Sequence, residues 1–533
     1  MKKDIPISSS SFEKIRTYNG LYVDKTEYIY KLVRHELNNY YTLLRPRRFG
    51  KSLMCSTLQA LFEGKRELFR GLYIDSTDYS FEKYPVLRFN FGCINTTSFE
   101  AFRESLQNEI IDEAGKNGLT VERAAPSSML IEALENTGKK VVIIIDEYDT
   151  PIINIAGKKE LLEAVLSTLG TFYSVIKNMC GNIRFVYITG ITKEQRIFDR
   201  INNTTDISLS EDYAAAFGYT QEELESYFSG YIDEYTQNSD REYGTREEFL
   251  EAVRDYYCGW CFSGRTEAKV YSPDDIGRFF VSGCDFEPYW VNTGSTVQAV
   301  SFLRSRGPKA VIRMTPVITD LDLAFFDYPS LLSEPQRFSA TELLYFTGYL
   351  TVKEEDGEFL SLSFPNTEVR EQFIQALVNE FTDIRGGITA SHVKDALRSG
   401  DIKDVIDRLN EYVSRYRYDG LDEGKEGIEE AFFTFFLMAG GMSTGIKDEI
   451  FHERTDVVLK NGKDVFLIGM RFNTSPERIL NEIRQYCSDE ERKAEKRIHL
   501  VALSFSPTRR EVKSWKEETV KGSVDLSRVK GIW

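Results

Sequence analysis

A Gly-Lys-Ser tripeptide at residues 50–52 has the residue types that bind phosphate groups. Lys51 supplies a positive charge, and the hydroxyl group of Ser52 can ligate Mg²⁺. The tripeptide follows a short apolar run at 40–44 and precedes helically spaced apolar residues from 53 to 62. In such a strand–turn–helix arrangement, backbone N–H groups and the helix N-terminus cradle a phosphate. The match to G-x-x-x-x-G-K-[ST] is partial, because Arg45 occupies the position of the first glycine.

Two carboxylates follow the most apolar stretch of the chain. Residues 141–145 are five consecutive β-branched residues, which is typical of a strand buried on both faces of a parallel sheet. Asp146 and Glu147 come next, where ligands of open α/β sheets bind. We expect Asp146 to hold Mg²⁺ together with Ser52, and Glu147 to activate a water for attack on a γ-phosphate. The alternative is a solvated turn after a core strand.

Other apolar segments complete a predicted sheet. Residues 84–91 and 184–188 have strand composition, and 206–210 are predicted to form the last strand. Thr189, at the end of one of these strands, is a candidate contact to the γ-phosphate or the attacking water; a strand-ending turn is an equal alternative. The alternation of strands and helices from 40 to 210 predicts an α/β fold. Its core is a P-loop NTPase parallel sheet of the type with an additional catalytic glutamate.

Residues 5–230 resemble the bacterial AAA-ATPase-like domain family. The matching motifs are Tyr-Val-Asp-Lys-Thr at 22–26, Arg-Pro-Arg-Arg-Phe-Gly-Lys-Ser at 45–52, Tyr-Pro-Val at 84–86, Asp-Glu-Tyr-Asp at 146–149, Thr-Gly at 189–190, and Asn202, Asn203 and Asp206. The family carries arginine where the first loop glycine would be. The resemblance therefore implies that Arg45 is a family feature, and it implies ATP and Mg²⁺ as cofactors.

The predicted nucleotide site has three groups of residues. Nucleotide contacts are predicted for Arg48, Phe49, Gly50, Lys51, Ser52 and Leu53. The predicted Mg²⁺ ligands are Ser52 and Asp146, and the predicted catalytic residues are Lys51, Glu147 and Thr189. Arginines near the loop could stabilise transition-state charge or pair with the acidic cluster, and the choice stays open for Arg45, Arg47, Arg48 and Arg200.

The length of 533 residues predicts about three domains at roughly 150 residues each. An ATPase domain is predicted at 1–215 and a helical, winged-helix-like middle region at 216–385. Within the middle region, Thr220 and Glu223 have the spacing of a capping box at a helix start. A helix–hairpin–helix pattern follows near 340–370, and its acidic hairpin argues against DNA binding. The predicted linker to the last domain is at 385–387.

The last domain, residues 386–533, resembles the PD-(D/E)xK nuclease-like domain that usually follows this kind of ATPase. That α/β restriction-endonuclease-like core needs an Asp on one strand and Glu-x-Lys on the next, to bind Mg²⁺ and position a water. Asp456 keeps the first position, but Gly469 and Arg471 occupy the other two. Glycine offers no side-chain ligand and arginine cannot act as a base. We therefore predict a degenerate nuclease site, with Glu482 as the one nearby carboxylate that could replace a ligand.

Composition limits the classes of partner. A net charge of −16 lowers the expectation of indiscriminate nucleic-acid binding. Seven scattered cysteines favour reduced thiols in the cytosol over a disulfide framework. The sequence has neither a signal-peptide pattern nor an apolar run of membrane-spanning length, so a cytoplasmic protein without membrane contact is expected. The expected partners are ATP, a second copy of the chain, and a protein or nucleic acid bound by the last domain.

The sequence thus predicts an ATP-binding, slowly hydrolysing P-loop protein whose nucleotide state gates a degenerate nuclease-like domain. Two alternatives stay open. One is an ATP-regulated, Mg²⁺-dependent DNase in defence or mobile-element control. The other is a non-enzymatic, nucleotide-switched scaffold that binds protein or nucleic acid.

Overall fold

A parallel five-stranded sheet organises the amino-terminal part of the computed structural model. Its spatial order is β2-β3-β4-β1-β5, and the predicted α/β class with a parallel sheet is confirmed. Because β4 lies between β1 and β3, the turn after β1 and the carboxylates after β3 are separated by one strand. The strands are β1 (Tyr40–Leu44), β2 (Val86–Asn90), β3 (Val141–Asp146), β4 (Ile183–Gly190) and β5 (Thr205–Asp206).

The chain divides into two units. The first contains Met1–Thr293 and Val317–Glu368, and the second contains Gly294–Pro316 and Val369–Trp533. The predicted boundary after residue 215 falls within the first unit, and the division into three domains stays a prediction. The predicted linker lies outside the described residues, which are 2–37, 39–237, 243–290, 317–319, 322, 340–381, 395–396, 399–416, 425–437, 445–447, 455–461, 464–485, 487–488 and 496–524.

Helices cover both faces of the sheet. On one face, Phe102, Leu130 and Leu169 of α4, α5 and α7 share a core with the apolar side chains of β3. On the other face, Phe62 of α3 contacts Phe185 of β4, with ring centroids 5.0 Å apart. The helices of this region are α1 (Phe12–Thr17), α2 (Thr26–Val33), α3 (Lys51–Phe62), α4 (Phe99–Lys116), α5 (Pro126–Asn136), α6 (Thr150–Ile153), α7 (Lys159–Asn178) and α8 (Gln195–Phe198).

The last strand of the sheet is shorter than the predicted 206–210. Only Thr205 and Asp206 pair with β1. The carboxylate of Asp206 accepts hydrogen bonds from the backbone N–H and the hydroxyl group of Ser208, at 3.0 and 2.6 Å. This local side-chain turn competes with the sheet hydrogen bonds and ends the strand.

The middle region forms a second apolar core in the first unit. Leu21 and Val23 from the amino-terminal segment pack there with side chains of α9 to α12. The predicted capping box of Thr220 and Glu223 is present at the start of α9. The elements are α9 (Gln221–Tyr227), α10 (Ser229–Thr236), α11 (Arg246–Tyr257), the short pair β6 (Cys258–Trp260) and β7 (Val270–Tyr271), and α12 (Pro273–Val281).

A helix, a hairpin and a second helix follow, in the predicted order. They are α13 (Ala340–Phe346), β9 (Thr351–Asp356), β10 (Phe359–Ser363) and α14 (Thr367–Phe381), and β8 (Val317–Thr319) pairs with β10. The hydroxyl group of Thr351 contacts the backbone N–H and C=O of Cys261, at 2.9 and 2.6 Å. The hairpin is therefore joined to the aromatic segment around β6.

The second unit contains a sheet in the order β11-β12-β13-β15-β16-β14. Strands β11, β12 and β13 are antiparallel neighbours, whereas β15 runs parallel to β13 after the connecting helix α17. The elements are α15 (Ile402–Arg415), α16 (Lys425–Leu437), β11 (Gly445–Lys447), β12 (Thr455–Asn461), β13 (Asp464–Phe472), α17 (Pro476–Arg484), β14 (Cys487–Ser488), β15 (Lys496–Ser506) and β16 (Glu511–Val524). Among the described residues of both units, no helix has the length and hydropathy needed to cross a membrane.

Two neighbouring carboxyl groups are buried in the first unit, Asp275 on α12 and Glu368 on α14. Oε1 of Glu368 accepts from the backbone N–H of Trp290 at 2.6 Å. Burial raises the pKa of Glu368 to about 8. Burial and the charge of Glu368 raise the pKa of Asp275 well above its ordinary value, while Asp274 and Arg278 on the same helix act in opposite directions. The pair is therefore protonated in the folded protein at pH values where free carboxyl groups are ionised.

We expect the stability of the first unit to fall as the pH rises from about 4.5 to about 8, the ordinary and folded-state pKa values of Glu368. In this window the folded protein holds a proton on Glu368 that the unfolded chain releases. The stabilisation from this proton is therefore complete below the pKa of Glu368 in the unfolded chain, and it is lost as the pH rises through the pKa of Glu368 in the folded protein. The urea midpoint should fall across this range in the wild type and less in Glu368→Gln. The exposed Glu354→Gln is the control, and equal slopes for wild type and Glu368→Gln would contradict the assignment.

Candidate functional site

A cavity of about 710 Å³ lies in the first unit, beside the turn that follows β1. Its volume is within the range of about 300–1,000 Å³ that is typical of small-molecule sites. Its lining includes residues 47–54 together with Glu147, Thr150 and Ile191. It also includes residues 5–10, 21–23, 25, 216–219, 273–274 and 277. All six residues predicted to contact a nucleotide, Arg48, Phe49, Gly50, Lys51, Ser52 and Leu53, line this cavity.

The turn after β1 has the backbone geometry of an anion-binding loop. Gly50 is the N-cap of α3, and its φ of +83° is in the left-handed region that favours glycine. Arg48 is also left-handed, with a φ of +69°, which is a strained conformation for a residue with a side chain. Helix α3 begins at Lys51 and its N-terminus borders the cavity, where the N–H groups that have no partner within the helix attract anions.

Lys51 is buried and makes hydrogen bonds to its own loop. The Nζ atom donates to the backbone carbonyl oxygens of Arg45 and Pro46, at 3.0 and 2.8 Å. Burial lowers the pKa of Lys51, and the charges of Asp146, Asp149 and Glu147 oppose this shift. The cation is therefore held beside the cavity by neutral carbonyl groups, which a bound phosphate can replace.

Two buried side chains, those of Arg45 and Phe49, hold the loop at residues 45–52 in place. Arg45 donates to the carbonyl oxygens of Leu44 and Ser208, at 2.8 and 2.7 Å, and its guanidinium lies 4.1 Å from the ring centroid of Phe262. Burial lowers the pKa of Arg45 to about 10. The ring of Phe49 packs edge-on against Phe262, with centroids 5.1 Å apart. In this position Arg45 holds the loop and does not line the cavity, and any catalytic role for it stays an open question.

Asp146 ends β3 as a buried carboxylate with an unused acceptor. It is 1% exposed, and its Oδ1 atom has no hydrogen-bond partner. The guanidinium of Arg88 is 4.0 Å from the other carboxylate oxygen. An ionised carboxylate in this environment is costly unless a cation or hydrogen-bond donors compensate it. The lone pairs of Oδ1 are therefore available to a cation, although Asp146 itself is not among the residues that line the cavity.

Arg88 was not predicted from the sequence, although a charged residue within an apolar strand is a signal. It lies on the edge strand β2, next to β3. Its guanidinium donates to the backbone carbonyl of Ser52 at 3.3 Å and to the side chain of Gln59 at 3.2 Å. Arg88 therefore connects the first turn of α3 to Asp146.

Glu147 lines the cavity directly after Asp146. Its backbone has a φ of +54°, which turns the chain sharply between β3 and α6. The hydroxyl group of Thr150 donates to Oε2 of Glu147 at 3.3 Å. Left-handed non-glycine residues cost free energy and are found at functional sites, so this geometry is consistent with a constrained reactive carboxylate.

Tyr148 and Asp149, the other two residues of the segment 146–149, fix the turn that follows β4. Oδ2 of Asp149 accepts from the backbone N–H groups of Ile191 and Thr192, at 2.8 and 2.7 Å. The phenol of Tyr148 donates to the carbonyl of Thr192 at 2.6 Å and accepts from the N–H of Glu194 at 2.8 Å. Burial raises the pKa of Asp149, and these N–H bonds counteract it. Asp149 and Tyr148 therefore hold the turn after β4 against the turn after β3.

Thr189 lies on β4, between the two functional turns. Its side chain is fully buried, and its hydroxyl group donates to the backbone carbonyl of Leu43 on β1 at 2.7 Å. Ile191, two residues later, lines the cavity in place of Thr189. A contact between Thr189 and a γ-phosphate would require this hydrogen bond to be exchanged, and that role stays a prediction.

The remaining candidate arginines have different positions. Arg47 and Arg48 line the cavity, and Arg48 is 3.8 Å from the carboxylate of Asp274 on α12. Asp274 also lines the cavity and accepts from Arg278 at 2.8 Å. Arg200 is exposed and packs beside α7, outside the cavity lining. Of the open candidates, Arg47 and Arg48 are therefore placed to meet a ligand within this chain.

The predicted degenerate site in the second unit contains an ion pair. Asp456 pairs with Gly469 in the register of β12 and β13. Arg471 is buried, and its Nε atom donates to Oε2 of Glu482 at 3.1 Å. Glu482 also accepts from Arg478 at 3.3 Å. The carboxylate that was considered as a replacement metal ligand thus pairs with two arginines.

Comparison with known proteins supports the interpretation of the first unit. Residues 6–198 match the family model described as "Predicted AAA-ATPase". The matched residues include the loop at 45–52, the carboxylates after β3 and Thr189. Similarity to this family points to ATP as the nucleotide. A relative described as "Uncharacterized protein in vnfD 5'region", from Azotobacter chroococcum mcd 1, is 27% identical over 532 residues, covering 96% of this chain and 98% of the relative.

Proposed function

We propose that the first unit binds Mg²⁺·ATP in the 710 Å³ cavity and hydrolyses it to ADP and phosphate. The observation that carries this proposal is that one cavity is lined by the glycine-capped start of α3, by Lys51 and by Glu147. These groups are a phosphate cradle, a cation and a candidate general base. The match of residues 6–198 to the AAA-ATPase-like family supports the same reaction.

The triphosphate would lie across the turn after β1. Backbone N–H groups of the first turn of α3 would donate to phosphate oxygens, and Lys51 would move from the loop carbonyls to the phosphates. Arg48 would exchange the carboxylate of Asp274 for a phosphate oxygen. Ile5, Leu21 and Tyr219 also line the cavity and offer apolar and aromatic walls for the base.

The metal would be held by Ser52 and Asp146, together with phosphate oxygens. The unpartnered Oδ1 atom of Asp146 fits this assignment, because Mg²⁺ is usually bound by one or two carboxylates plus substrate phosphates. When bound, Mg²⁺ supplies positive charge that stabilises the phosphate oxygens during transfer. Arg88 holds both ligand residues in place through the carbonyl of Ser52 and the carboxylate of Asp146.

The reaction itself would depend on Glu147. Its carboxylate would orient a water molecule in line with the γ-phosphate and accept a proton as the water attacks. Lys51 and Arg48 would stabilise the charge on the phosphate oxygens without changing their own protonation. Asp149 and Tyr148 would keep the turns after β3 and β4 at a fixed separation, so that Glu147 stays at the cavity.

Phosphate release from ATP tests this function directly. The purified 533-residue protein should release phosphate in the presence of MgCl₂ and not with EDTA. Turnover should be slow, with bound nucleotide acting as a conformational switch. Failure of the wild type to bind ATP, measured by calorimetry under the same conditions, would contradict the proposal.

We also propose that the nucleotide state gates the second unit, which would be an inactive relative of PD-(D/E)xK nucleases. The order of β11, β12, β13, α17 and β15, with β15 parallel to β13, supports this relation. The Arg471–Glu482 ion pair supports the lack of metal chemistry, since both side chains neutralise each other. The gating itself rests on the sequence resemblance.

The two alternatives predict different results. Mg²⁺- or Mn²⁺-dependent plasmid cleavage that disappears in Asp456→Ala would favour an ATP-regulated DNase. ATP binding without phosphate release, together with a gel shift or capture of a partner, would favour a scaffold. Neither alternative has a structural observation in its favour that the ATPase proposal lacks.

A further inference from the structure

The position of the Glu147 carboxylate depends on a space that only glycine leaves free. Gly92 lies in the turn Phe91–Cys93, directly after β2. A Cβ atom at residue 92 would be 2.1 Å from Oε2 of Glu147 and 3.0 Å from its Cδ atom. The carboxylate therefore lies against the backbone of Gly92, in the volume that any side chain would occupy.

A second contact is made to the same carboxylate. Thr150, the first residue of α6, donates its hydroxyl hydrogen to Oε2 of Glu147 at 3.3 Å. Its backbone N–H donates to the backbone carbonyl of Glu147 at 3.0 Å. Both Thr150 and Glu147 line the cavity. The backbone of Gly92 and the hydroxyl group of Thr150 thus together fix the position of Oε2 of Glu147.

We propose that Gly92 and Thr150 are positioning residues for Glu147 in ATP hydrolysis. This inference rests on the proposed function, because it assigns them to the step in which Glu147 accepts a proton from water. Gly92 leaves room for the carboxylate, and Thr150 donates to Oε2, so that Oε1 is left to accept the proton from the attacking water. Neither residue touches the nucleotide in this account, so they act on turnover and not on binding.

The geometry makes Gly92→Ala an informative variant. The added methyl group would meet Oε2 of Glu147, the end of a flexible side chain, and would lie 3.1 Å from Oδ1 of Asn90, so these two side chains would adjust while the backbone stays in place. A misplacement of a reacting group by about 1 Å can reduce a rate by roughly 100-fold. We expect kcat for phosphate release to fall by between ~10- and ~100-fold. The dissociation constant for Mg²⁺·ATP should stay within about twofold of the wild-type value, because the substitution leaves the contacts that bind ATP in place.

Thr150 provides an independent test with a conservative rescue. Thr150→Val keeps the branched shape and removes the hydroxyl group, and we expect kcat to fall by roughly 10-fold through loss of one orienting hydrogen bond. Thr150→Ser restores a hydroxyl group and should restore most of kcat. If Thr150 had only a structural role, its substitutions would change the melting temperature, and kcat would not differ between the serine and valine variants in this way.

The controls separate this inference from the proposed function. Gly115→Ala adds the same methyl group to α4, where it meets open space, and should leave kcat unchanged. If the wild type releases phosphate and both Gly92→Ala and Thr150→Val keep wild-type kcat, the positioning role is wrong while the ATPase assignment stands. A parallel loss of ATP affinity in both variants would also overturn it. Absence of phosphate release by the wild type would contradict the proposed function itself.

Discussion

Replacing Lys51 with alanine should weaken Mg²⁺·ATP binding by roughly 10- to 100-fold, since hydrogen bonds to a charged group contribute about 1.5–3 kcal/mol each. The Nζ atom now bonds to the carbonyl oxygens of Arg45 and Pro46, so the ammonium is already at the loop before a ligand arrives. Its transfer to phosphate oxygens exchanges neutral acceptors for charged ones, which form stronger hydrogen bonds. Calorimetric titration with Mg²⁺·ATP measures this loss.

Lys140→Ala is the matched control for Lys51→Ala. Lys140 is exposed before β3 and does not line the cavity, so its removal should leave ATP affinity unchanged. The fold should tolerate Lys51→Ala, because water in the cavity can hydrogen-bond the two freed carbonyl groups. An unchanged dissociation constant for Lys51→Ala would contradict the assignment of the loop as the phosphate site.

Replacing Glu147 with glutamine should reduce phosphate release by about 10²- to 10⁴-fold, the usual contribution of a general base. Glutamine retains the shape of the side chain and can keep the Thr150 contact, but its amide does not accept a proton from water. ATP affinity should stay near that of the wild type, because no phosphate contact is assigned to Glu147. Single-turnover phosphate release and equilibrium binding, measured on the same preparation, separate the two quantities.

Glu160→Gln is the control for Glu147→Gln. Glu160 is exposed in the first turn of α7, and the same charge change there should leave both quantities unaltered. Near-normal hydrolysis by Glu147→Gln would show that another group accepts the proton. The Asp149→Asn variant is less informative, because Asp149 holds the backbone of Ile191 and Thr192 and its change would alter the turn itself.

The central elements of the first unit were predictable because their signals are local. The β-branched run of β3 and the Gly-Lys-Ser turn each specify a conformation within a few residues. The strands at 86–90, 141–146 and 183–190 accordingly lie within two or three residues of their predicted positions. The end of the sheet was less predictable, since the strand stops at the turn formed by Asp206 and Ser208, and four predicted strand residues, 207–210, lie outside it.

The roles of the loop residues depend on long-range contacts that spacing alone does not encode. Arg45 could face the phosphate or the protein interior, and the choice is made by Ser208 and Phe262, more than 160 residues away in sequence. Arg88 reaches Asp146 only because β2 pairs with β3. The proposed role of Gly92 depends on a fold that brings the carboxylate of Glu147, 55 residues later in the sequence, against its backbone.

A crystal structure of the Glu147→Gln protein with Mg²⁺·ATP would test the central claim most directly. We expect the triphosphate at the turn after β1, with Nζ of Lys51 moved from the carbonyls of Arg45 and Pro46 onto phosphate oxygens. We also expect the metal next to Asp146 and Ser52. ATP bound outside the cavity, or Lys51 still bonded to the loop carbonyls with the nucleotide in place, would contradict the account.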